Sequence, residues 1–141
     1  MTDLTSAASI AIDAPIDDVW AAITTPDTIE KWFFGVRTES DWEVGGPIVH
    51  RGEWQGKPYV DKGEILRIDA PKLLVHTHWS DVSGTPDAPE HYQEVTWSLE
   101  EQGEGTALTV SERNLPSDEA KQVSDQSWPM VLGNLKQLLE R

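Results

Sequence analysis

The sequence predicts an α+β fold in which a sheet of six to seven antiparallel strands curls around one long C-terminal helix, with two short helices after the first strand. Three observations predict it. Between Ile48 and Glu112, apolar residues recur with period two in five segments separated by short Gly-, Pro- and Asp-rich breaks, the pattern of an antiparallel meander. From Pro116 to Arg141, apolar residues at 120, 123, 128, 131, 132, 135, 138 and 139 make one long amphipathic helix. With one long helix available, the sheet must bend round it to bury its apolar face, which leaves room between the two.

The elements follow in order. Residues 4–12 (LTSAASIAI) read as a small, apolar first strand. Asp13-Ala14-Pro15 opens a helix: the proline suits its first turn, Asp17 and Asp18 favour its positive end, and Val19, Trp20 and Ile23 form its stripe. Thr25-Pro26-Asp27 breaks it and starts a second short helix through Ile29 to Trp32, and residues 41–47 (DWEVGGP) are turn chemistry. The period-two segments are 48–54, 59–68, 73–79, 91–100 and 106–112. Pro129 lies inside the final helical pattern, where it removes a backbone donor and is expected to kink or loosen the helix.

Composition narrows the class. A chain of 141 residues fits one domain, 1–141, large enough to stand without a metal or disulfide staple. The absence of cysteine excludes disulfides, thiolate metal sites and thiol nucleophiles. No apolar run approaches the ~18 residues of a membrane helix, and the start MTDLTSAAS lacks a signal peptide, so a cytoplasmic location is expected. A net charge of −14 works against binding nucleic acid or anionic lipid. Seven tryptophans beside two tyrosines and two phenylalanines suit both a core and a lined cavity.

The stretch Ala14-Pro15-Ile16-Asp17-Asp18-Val19-Trp20, followed by Trp32-Phe33-Phe34-Gly35, resembles the opening of the START-like, or SRPBCC, superfamily. Val44-Gly45-Gly46 and the run from Gly63 to Val75 (GEILRIDAPKLLV) are similar to its heat-shock protein 90 ATPase activator homologue-like branch, as are Ser127-Trp128 and Leu132-Gly133-Asn134-Leu135. Two departures are Ser127 where the branch has glycine, and Pro129. The resemblance implies a helix-grip fold of the START and birch-pollen-allergen type, in a stand-alone domain. It says less about function, because the superfamily holds lipid carriers, receptors and cyclases.

Alternation along each strand sorts the candidate site residues. On 91–100 the inward set is His91, Gln93, Val95, Trp97 and Leu99; on 106–112 it is Leu108, Val110 and Glu112. The family pattern adds Ile48, His50 and Trp54. On 73–79 the family-like register turns Leu74, His76 and His78 inward, and a one-residue bulge would substitute Val75, Thr77 and Trp79. All four histidines fall on expected strands. Trp32, Trp54, Trp97 and Trp128 would wall a cavity with Val131 from the helix, while His50, His76, His78 and Glu112 would orient a polar end of the ligand. The apolar run Trp32-Phe33-Phe34 suits core, a lid or a protein-contact patch; the resemblance favours a lid at the cavity mouth, together with the irregular loop 81–89.

His76 and His78, at i and i+2, have the spacing of metal ligands, with His50 or Glu112 as a third, but the strand holding His50 lies two away, about 10 Å off at ~4.8 Å per strand. No metal and no cofactor are therefore expected. No nucleophile motif appears. The favoured reading is non-enzymatic binding of a small lipophilic molecule, apolar or aromatic. The alternatives are a co-chaperone-like interaction module with a protein partner or as a homodimer, and a cyclase or hydrolase using cavity His and Glu.

Overall fold

The computed structural model describes residues 4–140; the outermost residues of the predicted domain, 1–3 and 141, lie outside the described residues. Strand β1 (Thr5–Ile12) leads into helices α1 (Ile16–Thr24) and α2 (Pro26–Trp32). Six further strands follow: β2 (Arg37–Ser40), β3 (Pro47–Trp54), β4 (Lys57–Asp69), β5 (Leu73–Ser80), β6 (Gln93–Gln102) and β7 (Gly105–Arg113). Helix α3 (Asp118–Leu139) closes the chain. The seven strands form one antiparallel sheet in the order β1-β7-β6-β5-β4-β3-β2, curved around α3 in the helix-grip arrangement.

Local chemistry explains the boundaries. Pro15 caps α1, whose buried face is Ile16, Val19, Ala22 and Ile23. Pro26 opens α2, where its missing N–H costs nothing. The Ser117 side chain caps α3 by accepting from the Ala120 N–H at 3.1 Å. The helix then runs unbroken through Pro129. Pro129 and Asp125, whose carbonyl loses its donor, both lie on the exposed face, where water can replace the lost bond.

Two differences from the expected strands stand out. Strand β2 has no apolar alternation to announce it, and pairs with β3 through Thr38 opposite His50. His91 lies in a short 3-10 turn (Pro89–His91) rather than on β6, which begins at Gln93, so His91 is half-buried outside the sheet.

The core lies between sheet and helix, where Leu74, Leu108 and Val110 meet Val131, Leu132 and Leu135. Helix α3 packs chiefly along β1. It is tied there by Ser6 Oγ donating to Asp125 at 2.6 Å and Lys136 Nζ donating to the Ala11 carbonyl at 2.8 Å. Further along the sheet, the β4–β5 register shifts between Ile65 and Arg67. Near that shift, the Glu64 N–H is taken by Thr77 Oγ1 at 2.8 Å. Gly63 passes so close to Thr77 that a Cβ would sit 1.7 Å from its carbonyl oxygen, so only glycine fits.

Gly63→Ala is therefore expected to cost about 3 kcal/mol, the upper end for overpacking. Gly133, in α3 with nothing within 4 Å of a built Cβ, is the opposite case. Gly133→Ala should add about 0.5–1 kcal/mol through helix propensity. Urea unfolding midpoints would check both; equal effects would contradict the packing described.

Candidate functional site

Between the sheet and α3 lies a hollow of about 670 Å³. Leu74, Val95 and Trp97 line it from the sheet, Trp128 and Val131 from α3, and Phe33 from the end of α2. The aromatic walls are continuous. Trp97 meets Trp128 edge-on with ring centres 5.6 Å apart and Trp32 at 6.0 Å, while Phe33 meets His50 at 5.8 Å, all within the usual range of paired rings. Four large apolar side chains along the lining are exposed: Phe34, Trp54, Val82 and Val123.

Polar side chains enter along two cross-strand rows. In the first, Thr38 pairs with His50, His50 with Asp61 and Asp61 with Ser80. Thr38 Oγ1 lies 2.8 Å from His50 Nδ1. His78 reaches diagonally to Asp61, with Nε2 3.3 Å from Oδ2, a span that neighbours two residues off register can cover. In the second row, Ile65, His76, Val95 and Glu112 stand side by side. Glu112 Oε1 accepts from Ser124 Oγ at 2.8 Å and from Trp128 Nε1 at 3.1 Å.

The bonds of His76 define its protonation. Its Nδ1 faces the Thr77 carbonyl at 2.9 Å, which can only accept, so Nδ1 carries the hydrogen. Its Nε2 receives the Trp97 indole N–H at 3.3 Å, so Nε2 is bare. A second proton would set two donors against each other. Burial first, and then the charge of His78, hold the His76 pKa down to about 4. Burial, followed by His76 and His78, holds His50 down to about 3. Burial also acts against a charge on His78, but the bond and charge of Asp61, helped by Glu112 and Gln93, outweigh it and raise His78 above its ordinary value. Asp61 mirrors this: burial would raise it, and His78 with Ser80 and His50 bring it below the usual carboxylate range. Along β3, β4 and β5 the hollow thus presents one ion pair and two neutral imidazoles.

The structure places all ten candidate residues along the lining of the hollow. Trp32 is buried, with its indole N–H donating to the Ala22 carbonyl at 2.9 Å, so it belongs to the core floor; Phe33 is half-buried above it. His50, His76, Trp97, Glu112 and Val131 are buried, whereas His78 and Trp128 are half-buried. Leu74, His76 and His78 line the hollow in the family-like register rather than the bulged one. Trp54 lines the hollow as expected but is not enclosed by it. It shares the inward parity but is 70% exposed, because it ends β3 at the hairpin turn Gln55-Gly56, where no helix covers it. It forms an uncovered edge of the hollow.

The histidine spacing also needs correcting. The His50 and His76 rings are 6.4 Å apart although β4 separates their strands. Strand spacing measures backbones, whereas side chains on the inner face of a curved sheet converge. Even so, among the described residues no three His, Cys, Asp or Glu side chains form a group able to hold a metal ion. Asp61, Thr38 and Ser124 were not candidates from sequence. Only the register, with Asp61 opposite His50, carries a signal for the first of them.

The family model of Activator of Hsp90 ATPase homolog 1-like proteins matches residues 13–140. No curated protein matches the sequence. Among solved structures, a Cytophaga hutchinsonii protein is 36% identical with a TM-score of 0.84, over 99% of this chain and 96% of that one. A Mesorhizobium loti protein is 25% identical with a TM-score of 0.81, over 97% of each chain. The Aha1 dimer from Colwellia psychrerythraea, 21% identical over 99% of this chain and 97% of that one, has a TM-score of 0.76 and shares the fold. No helix among the described residues is long and apolar enough to cross a membrane.

The two neutral histidines make stability depend on pH with a definite sign. Unfolded, they take up protons near pH 6.5; folded, only near 4 and 3, so between those values the unfolded state binds more protons and stability falls as pH falls. The raised His78 acts oppositely: its contribution is complete below pH 6.5 and is lost as pH rises through its folded pKa. Imidazole proton NMR should show His78 titrating above 6.5 while His50 and His76 stay neutral through pH 5. A His76 midpoint near 6.5 would contradict the bonding described.

Proposed function

This chain belongs to the Activator of Hsp90 ATPase homolog 1-like family, and we propose that it acts by binding a small apolar or aromatic molecule between the sheet and α3. The observation that carries this reading is the hollow itself: about 670 Å³, walled by Leu74, Val95, Trp97, Trp128 and Val131. That volume falls within the 300–1,000 Å³ usual for small-molecule sites. An apolar guest would gain about 2.5 kcal/mol per 100 Å² of apolar surface removed from water, before the cost of association. It would also cover part of the exposed edge formed by Phe34, Trp54, Val82 and Val123.

Binding without turnover fits the polar groups better than catalysis does. The His78–Asp61 pair resembles an acid–base couple, but His78 Nδ1 is buried and cannot reach a guest directly. A second reading, a contact between two copies of the chain, is favoured by the same exposed apolar edge. It is also the arrangement for which the Colwellia psychrerythraea structure is named.

Titrating the protein with uncharged lipophilic ligands should shift its tryptophan emission, since Trp97 and Trp128 both line the hollow. Ser127→Trp would add an indole into that space from α3 and should weaken binding at least about tenfold, the equivalent of 1.4 kcal/mol, with the circular dichroism spectrum unchanged. No emission change across a broad ligand panel would end the small-molecule reading. Sedimentation showing a concentration-dependent dimer dispersed by Trp54→Glu would favour the second.

A further inference from the structure

We infer that the hollow selects, among apolar molecules, those whose inner end carries an O–H or N–H donor, and that the unbonded oxygen of Glu112 makes the selection. The inference rests on the binding reading above and names the chemical class of its ligand.

Glu112 lies on β7 opposite Val95, lines the hollow and is only 7% exposed. Both hydrogen bonds it receives fall on Oε1, from Ser124 Oγ and Trp128 Nε1 of α3. Among the described residues no donor reaches Oε2. The side-chain atoms sealed from solvent without a partner are Asp61 Oδ1 and His78 Nδ1. Glu112 Oε2 is neither sealed nor bonded, on a side chain that lines the hollow. Two bonds on its neighbour hold the carboxylate in place, so Oε2 is an acceptor already oriented before any guest arrives.

A carboxylate oxygen at the lining of an apolar hollow has few ways to be satisfied. A guest hydroxyl or amine can donate to it; an ether, ester or carboxylate cannot. The remaining charges do not favour an anionic guest. His78 is already paired with Asp61 at 3.3 Å. Lys57, the other cationic side chain along the lining, is exposed to water at the start of β4. His50 is uncharged, so any hydrogen bond a guest makes to its ring is of the weaker neutral kind.

Three ligands with one body separate the possibilities: 4-hexylphenol, which donates; 4-hexylanisole, which is uncharged and only accepts; and 4-hexylbenzoate, an anion. Calorimetric titration of the intact protein should rank the phenol first, about 10- to 100-fold tighter than the anisole, the range of a hydrogen bond to a charged group. The benzoate should bind more weakly than the phenol. In Glu112→Gln the amide oxygen can keep the bonds from Ser124 and Trp128, turning an N–H₂ donor into the hollow. The gap between phenol and anisole should then shrink to about threefold or less. If anisole or benzoate binds the unaltered protein as tightly as the phenol, the donor requirement is overturned and binding in the hollow stands. If none of the three binds, both proposals fall. The comparison on the unaltered protein needs no variant to fold.

Discussion

One helix cannot cover this sheet. Seven strands at about 4.8 Å span roughly 29 Å, whereas a helix with its side chains is about 10–12 Å across. Helix α3 spends its width mainly on β1, where Leu132 and Leu135 complete the core and Ser6 and Lys136 provide polar ties. Helix α2 supplies the buried Ile29 and Trp32, and Asn134 joins the two helices by donating to the Trp32 carbonyl. Curvature does the rest, and the inner face left uncovered between those supports is the hollow. Its existence follows from a mismatch of widths, and the aromatic residues there finish a surface that no backbone element reaches.

Polar groups in that surface divide the work. His76 and His50 are locked neutral, the first by a carbonyl and an indole that each dictate one nitrogen, the second by burial beside Thr38. Asp61 and His78 form a compensated pair, each stabilising the charge that burial opposes in the other. Such a pair adds little net stability, because desolvation offsets its attraction. Its effect is to keep the β4–β5 side of the hollow polar without a net charge. Glu112 is different: it is held by the helix rather than by another titratable group.

Much of the architecture was legible because the sheet has one apolar face. Val95, Trp97 and Leu99 alternate without exception, as do Leu108 and Val110, and each is buried. The four residues of β2 were not legible: its buried member is Thr38, which no apolar pattern would single out. The family resemblance placed Trp54 on the inner side with Ile48 and His50, but a shared face says nothing of what covers it. His91 was misplaced because Pro89 begins a turn that delays β6 to Gln93. Convergence of His50 with His76, and the diagonal from His78 to Asp61, depend on curvature and register together, and neither is written in any single strand.

The brevity of β2 has a further consequence. It is one of the two outer strands of the sheet, only four residues long, with charged Arg37 and Glu39 alternating with Thr38 and Ser40. A free strand margin normally invites another chain to add its own backbone bonds, and short, charged margins discourage this. A polypeptide aligned there would find few amide partners and would meet two ionic groups. Growth of the sheet into an intermolecular ribbon is thus disfavoured at that border by shortness and charge.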